Sequence, residues 1–123
     1  MKKKLIIIIV FSVFLFVQPI NAQTWEKTKR LSWTLGGSYA PDSAVDTKNH
    51  IHVVWQDDTP GKDEIYYKKS TNGGTSWTTK RLTWTPDNSW WPAIAVDSND
   101  YIHVVWQDYT QNNFEIFFKR STD

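Results

Sequence analysis

The chain has 123 residues, no cysteine and a formal net charge of +1 at neutral pH. The missing cysteines exclude a disulfide framework, thiolate metal sites and a cysteine nucleophile, and a balance this close to neutral lacks the basic footprint of a nucleic-acid binder. Eight tryptophans, all after residue 22, are a load that the architecture must bury or use.

Lys2, Lys3 and Lys4 precede an apolar run from Leu5 to Val17, which closes at Gln18-Pro19-Ile20-Asn21-Ala22. A charged start, an apolar stretch and a small residue at the exit describe a signal peptide over residues 1–22. The run is short of the roughly 20 residues that a membrane span needs. The expectation is a secreted or periplasmic product, with no membrane contact after cleavage and no lipid-accepting cysteine. Cleavage removes three of the 14 basic side chains and leaves 11 against 13 acidic ones.

The mature part, residues 23–123, is an internal duplication. Residues 28–72 laid on 79–123 at a shift of 51 are identical at 24 of 45 positions, including the unbroken block Ile51 to Asp57 against Ile102 to Asp108. The first repeat covers about 28–78 and the second about 79–123. Each is built of short Val-, Ile-, Thr- and aromatic-rich segments between turn residues, which is strand chemistry. In the first repeat the pattern predicts strands over Tyr39 to Val45, His50 to Asp57, Glu64 to Ser70 and Trp77 to Leu82. Turns at Asp46-Thr47-Lys48-Asn49, Thr59-Pro60-Gly61-Lys62 and Asn72-Gly73-Gly74 separate them. The second repeat predicts Trp90 to Val96, Tyr101 to Asp108 and Glu115 to Ser121. Alternation in Ile51-His52-Val53-Val54-Trp55 makes both strand faces largely apolar, so cover is needed on both sides. Four antiparallel strands in a unit of about 50 residues is the arrangement of a β-propeller blade. A sandwich of seven or eight strands is the alternative, but it leaves the near-copy unexplained.

The segment Ser70-Thr71-Asn72-Gly73-Gly74-Thr75-Ser76-Trp77 resembles the Asp box, Ser-x-Asp-x-Gly-x-Thr-Trp, of the bacterial neuraminidase repeat (sialidase-like) propellers. Asn72 and Ser76 are conservative departures from the family's Asp and Thr. Ser121-Thr122-Asp123 is similar to the opening of a second box, and Gln23-Thr24-Trp25 to the closing of one. The resemblance spans residues 23–123 and implies a structural hairpin on the face opposite the ligand site. Ser70, Asn72, Gly74, Ser76, Trp77, Ser121 and Asp123 would then be structural. Residues 24–31 look like a lone fourth strand, and the second repeat lacks one. Two blades do not close a ring of about four to eight. Either copies assemble head to tail into a homo-oligomer, the strand over 24–31 completing the last blade, or further C-terminal blades follow.

On this architecture two sets of loops reach the ligand face. The inter-blade loops run Trp33-Thr34-Leu35-Gly36-Gly37-Ser38-Tyr39 and Trp84-Thr85-Pro86-Asp87-Asn88-Ser89-Trp90-Trp91, and the others begin Asp57-Asp58-Thr59 and Asp108-Tyr109-Thr110. Trp33, Tyr39, Trp84, Trp90, Trp91, Asp57, Asp58, Asp108 and Tyr109 are the ligand-binding candidates, because rings stack on sugar C–H faces while acids take hydroxyls. The competing reading packs Trp33 and Trp84 between blades and makes Asp57 and Asp108 strand-end hydrogen bonders. His52 and His103 read as satisfied strand histidines, with no metal-ligand spacing around them; neither a metal nor a cofactor is expected.

The resemblance implies, for a true sialidase, an arginine triad, a Tyr/Glu nucleophile pair and an acid Asp. Arg30 and Arg81 share one repeat position in a Lys-Arg-Leu strand expected at a blade's outer edge, and Arg120 aligns with Lys69. None stands where the triad requires, so no catalytic residue is assigned. The expectation is a secreted, non-catalytic propeller module for a glycan or other extracellular polymer. The alternatives are a fragment of a sialidase-like glycoside hydrolase and a structural or protein-interaction repeat.

Overall fold

The computed structural model describes residues 23–122; the expected signal peptide and Asp123 lie outside the described residues. Within them the protein is all-β. A four-stranded antiparallel sheet in the order β1-β2-β3-β4 comprises β1 (Ser38–Val45), β2 (Ile51–Asp57), β3 (Glu64–Ser70) and β4 (Thr78–Arg81). A three-stranded antiparallel sheet in the order β5-β6-β7 follows, with β5 (Ser89–Val96), β6 (Ile102–Asp108) and β7 (Glu115–Ser121). The sole helical element described is a 3-10 turn at Thr110–Asn112, between β6 and β7.

The seven strands match the predicted ones to within a residue at each end, because turn chemistry at every junction leaves little freedom. Asn49 and Asp100 hold φ values of +63° and +64° at the same repeat position, a left-handed conformation that Asn and Asp tolerate. Strand registers also agree at the shift of 51: Val54 pairs with Tyr67 as Val105 pairs with Phe118. Each first strand carries a register shift, between Tyr39 and Asp42 and between Trp90 and Ala93, with Ala40 and Trp91 at φ +47° and +49°. The sequence reading missed these bulges, since nothing in Ala or Trp announces a positive φ.

The two sheets stack front to back. The core joins Val54, Ile65 and Tyr67, from one face of the first sheet, to Ile94, Val96, Ile102, Val104 and Trp106, from the opposite face of the second, with Leu82 between them. Cross-strand pairing puts Val54 with Tyr67 and Val104 with Ile94 on those faces. The sheets are tied by polar contacts as well: Ile94 N donates to Asp42 Oδ2 at 2.9 Å, and Thr47 Oγ1 to Asp100 Oδ2 at 2.9 Å.

The strand expected over residues 24–31 carries no ladder. Its repeat equivalent, β4, lies against the third strand of its own sheet, and among the described residues no sheet precedes the first to provide one. The segment nonetheless keeps the local arrangement of its counterpart. Arg30 Nε donates to Ser32 O at 2.6 Å as Arg81 Nε donates to Thr83 O at 2.7 Å, and Lys68 Nζ donates to Leu31 O as Lys119 Nζ donates to Leu82 O.

Candidate functional site

The hairpin Ser70 to Trp77 is held by hydrogen bonds among its own residues, and Gly74 O accepts one more from Lys29 Nζ at 3.3 Å. Ser70 Oγ accepts from Gly74 N at 2.8 Å, and Asn72 Oδ1 accepts from Ser76 N at 2.9 Å. Asn72 Nδ2 donates to Ser76 Oγ at 2.8 Å, and the Trp77 indole donates to Gly74 O at 3.1 Å. Gly73 and Gly74 hold φ of +64° and +81°. Every polar group singled out in this segment is spent on the turn itself, which leaves it a structural element.

At the opposite end of the strands the expected loops meet. Gly37 N donates to Asp58 Oδ1 at 2.7 Å, Asp58 N to Gly37 O at 3.2 Å, and Thr34 Oγ1 to Asp57 Oδ2 at 3.0 Å. Gly36 is required there: a Cβ would stand 2.6 Å from Thr59 N. Asp57 is fully buried and accepts from Ser38 Oγ at 2.7 Å, from Thr59 N at 3.0 Å, from Thr59 Oγ1 and from the Trp55 indole at 3.3 Å. Burial by itself would raise its carboxyl, but the Thr59 and Ser38 hydroxyls, the Thr59 N–H and the Trp55 indole outweigh it and hold the group below the usual range. Asp108, also buried, repeats the pattern with Ser89 Oγ at 2.8 Å and Thr110 Oγ1. These two carboxylates are strand-end hydrogen bonders, with no face turned to solvent.

The aromatic candidates fall into two groups. Trp90, Phe114 and Tyr109 pack on one another, with centroids 5.8 Å and 4.8 Å apart, and the Trp90 indole donates to Asp63 Oδ2 at 2.6 Å. Trp33 and Trp84 do not pack between the sheets: they are 76% and 68% exposed, and Tyr39 and Trp91 are exposed as well. The Arg30 guanidinium stands 4.6 Å above the Trp33 ring, and that of Arg81 stands 5.5 Å above Trp84. Trp84 and Arg81 line a cleft of about 560 Å³ between the outer parts of the sheets, together with Lys69, Lys80, Lys119 and Arg120. Tyr67, Ile102 and Val104 supply apolar lining.

Sequence reasoning missed Asp63 and undervalued the arginines. Asp63 joins the two loop systems: its side chain accepts from Gln56 Nε2 and Trp90 Nε1, its N–H donates to Asn88 Oδ1 at 2.9 Å, and its carbonyl accepts from Ser89 N at 2.7 Å. The second repeat has Phe114 in its place, so the duplication gave no signal. The Arg-Leu-x-Trp spacing at Arg30 to Trp33 and Arg81 to Trp84 was a usable signal, since both copies carry it.

His52 and His103 each meet the aspartate that opens the preceding turn. His52 is buried, with Nδ1 2.7 Å from the Tyr67 hydroxyl and Nε2 3.3 Å from Asp46 Oδ2; His103 Nε2 lies 3.0 Å from Asp97 Oδ2. Among the described residues no group of three or more His, Cys, Asp or Glu side chains is placed to hold a metal ion. Comparisons with protein-family models, with curated proteins and with solved structures find no match for this chain.

Proposed function

We propose that this chain is an exported, non-catalytic binding module built from sialidase-like β-propeller blades, and that it holds an extracellular polysaccharide through its repeated Arg/Trp pairs. The observation that carries the reading is the recurrence of an open indole under a guanidinium at Trp33 and Trp84. An exposed tryptophan costs solvation unless something covers it, and here the arginine covers one face and leaves the other for a sugar ring. The Ser70 to Trp77 hairpin and the common strand registers support the blade architecture.

The loop carboxylates take no part in this reading. Asp57 and Asp108 are committed to intramolecular bonds, and Asp58 is held by Gly37 N. The cleft that Trp84 lines also holds the cationic Lys69, Lys80, Lys119 and Arg120, while Arg81 is paired with buried Glu64. Sugars bearing carboxylate or sulfate groups therefore fit this cleft better than neutral ones, because charge-assisted hydrogen bonds add to stacking.

A glycan array probed with the exported protein tests the reading. Retention on acidic polysaccharides, weakened by salt and lost on Trp84→Ala with Trp91→Ala as a comparison, is the expected result. Indifference to Trp84→Ala, or retention on protein partners alone, would sink it.

A further inference from the structure

The stacking of the two sheets leaves two unmatched surfaces that are repeat equivalents of the two matched ones. The face of the first sheet that meets the second carries His52, Val54 and Ile65; the second sheet carries His103, Val105 and Ile116 at those positions, on a face with no sheet against it among the described residues. Phe118, the equivalent of Tyr67, is exposed on that same face. On the other side, the second sheet packs through Val96, Ile102 and Val104, and their equivalents Val45, Ile51 and Val53 lie on the outer face of the first sheet. One molecule therefore carries both halves of the contact that it already makes internally.

The edges match in the same way. β3 is covered by β4, whereas the equivalent edge of β7 has no strand beside it among the described residues. Thr28-Lys29-Arg30-Leu31 is identical to Thr79-Lys80-Arg81-Leu82, and Leu31 already sits against the first sheet, through Lys68, as Leu82 sits against the second, through Lys119. Charge completes the match. Buried Glu64 is held by Arg81 Nη2 at 2.7 Å and by Thr83 Oγ1. Its equivalent Glu115 is exposed, and the equivalents of Arg81 and Thr83 are Arg30 and Ser32.

We propose that the chain assembles head to tail with further copies of itself. Residues 27–31 of one copy add as an outer strand to β7 of the next, Arg30 meets Glu115, and the outer face of the first sheet closes over Val105, Ile116 and Phe118. The contact is heterologous, so it builds a ring where the rotation closes. It differs from the internal seam in its polar ties: Ala93 and Phe114 stand where Asp42 and Asp63 make their bonds, Ser98 and Asn49 where Thr47 and Asp100 make theirs, and Gly37 where Asn88 accepts from Asp63 N, so the seam between copies has fewer polar ties and brings Tyr39 to Phe114 instead. The proposal concerns a partner copy and does not depend on the identity of any polymer.

The test is light scattering coupled to size exclusion on the exported product of the full 123-residue chain, over a range of concentrations. The expected result is one discrete species of several copies. Arg30 and Glu115 are both exposed in the single chain, so Arg30→Glu and Glu115→Arg each leave the far-ultraviolet circular dichroism unchanged. Each raises the concentration needed for assembly by about tenfold or more, as loss of a buried charge pair does. The double variant carrying both changes regains the wild-type mass. A monomeric wild type, single variants that keep the assembled mass, or a double variant that stays dissociated overturns the proposal.

Discussion

Val54 and Val105 occupy the same place in two strands of identical sequence, and so do Ile65 and Ile116 in the strands beside them. The first of each pair is 0% exposed, while Val105 is 39% and Ile116 75% exposed. Burial here is a property of position in the stack, and the residue itself contributes nothing to the difference. The polar networks follow the same division. Gln56, in the first sheet, accepts from Trp91 N at 2.8 Å across the seam, whereas Gln107 makes no side-chain hydrogen bond among the described residues. Equal sequences thus acquire unequal energetic weight, and the second sheet is left with surplus exposed apolar surface.

Substitutions at equivalent positions turn the contrast into numbers. In an Arg30→Glu background, at concentrations below those of the proposed assembly, Ile65→Ala leaves a cavity at the centre of the core and is expected to cost about 2–5 kcal/mol by urea denaturation. Ile116→Ala costs no more than about 0.5 kcal/mol in that background. In the unaltered protein Ile116→Ala should weaken the proposed assembly, and equal costs at the two sites in the single chain would erase the distinction drawn between the sheets.

Ser70→Ala comes next. It removes the acceptor of the buried Gly74 N–H, with an expected loss of about 1–3 kcal/mol, because a buried donor without a partner bears its full desolvation cost. Glycine-to-alanine exchange at Gly36 should destabilise through overlap with the Asp58 to Thr59 backbone, seen as a lower denaturation midpoint.

The buried pair His52 and Asp46 makes stability depend on pH in two separate ranges. Burial pushes His52 below the usual histidine value against the pull of Asp46, so the unfolded chain takes the proton more readily and stability falls as pH drops below 6.5. For Asp46, burial would raise the carboxyl, yet the His50 N–H, the His52 and His50 rings and the Lys48 N–H hold it at about 2. Its contribution is present above the ordinary 3.8 and is lost as pH falls from there towards about 2. Denaturation midpoints measured from pH 7 to pH 2 should show both phases, and the upper one should vanish in His52→Asn.

The smallest expected effect on stability is at Trp84. Trp84→Ala, on an exposed side chain, changes the denaturation midpoint by no more than about 0.5 kcal/mol, while polysaccharide retention is lost. A large loss of stability there would instead make the indole part of the core.

Much of the architecture was legible before any coordinates. The turn residues around Asn49, Asn72 and Asp100 act within a few positions of themselves, so they announce strand ends without help from the rest of the chain. The Ser70 to Trp77 hairpin is legible for the same reason, the bonds that close its turn lying within eight residues. The candidate site was legible only in part. The loops were expected to converge and they do, but Asp57 and Asp108 turned out to be enclosed while Trp33 and Trp84 turned out to be open. Which side chain faces water depends on where the neighbouring sheet lies, and that contact joins residues about fifty positions apart.

By itself, then, the sequence determined the strands, their turns, their order and their duplication, because those rest on short-range stereochemistry and on a period that can be counted. Only the tertiary structure decided that the two copies stack front to back, that Asp63 knits their loops together, and that one apolar face is sealed while its copy stays open. Those are consequences of long-range packing, in which the same residue is core or surface according to what is placed against it.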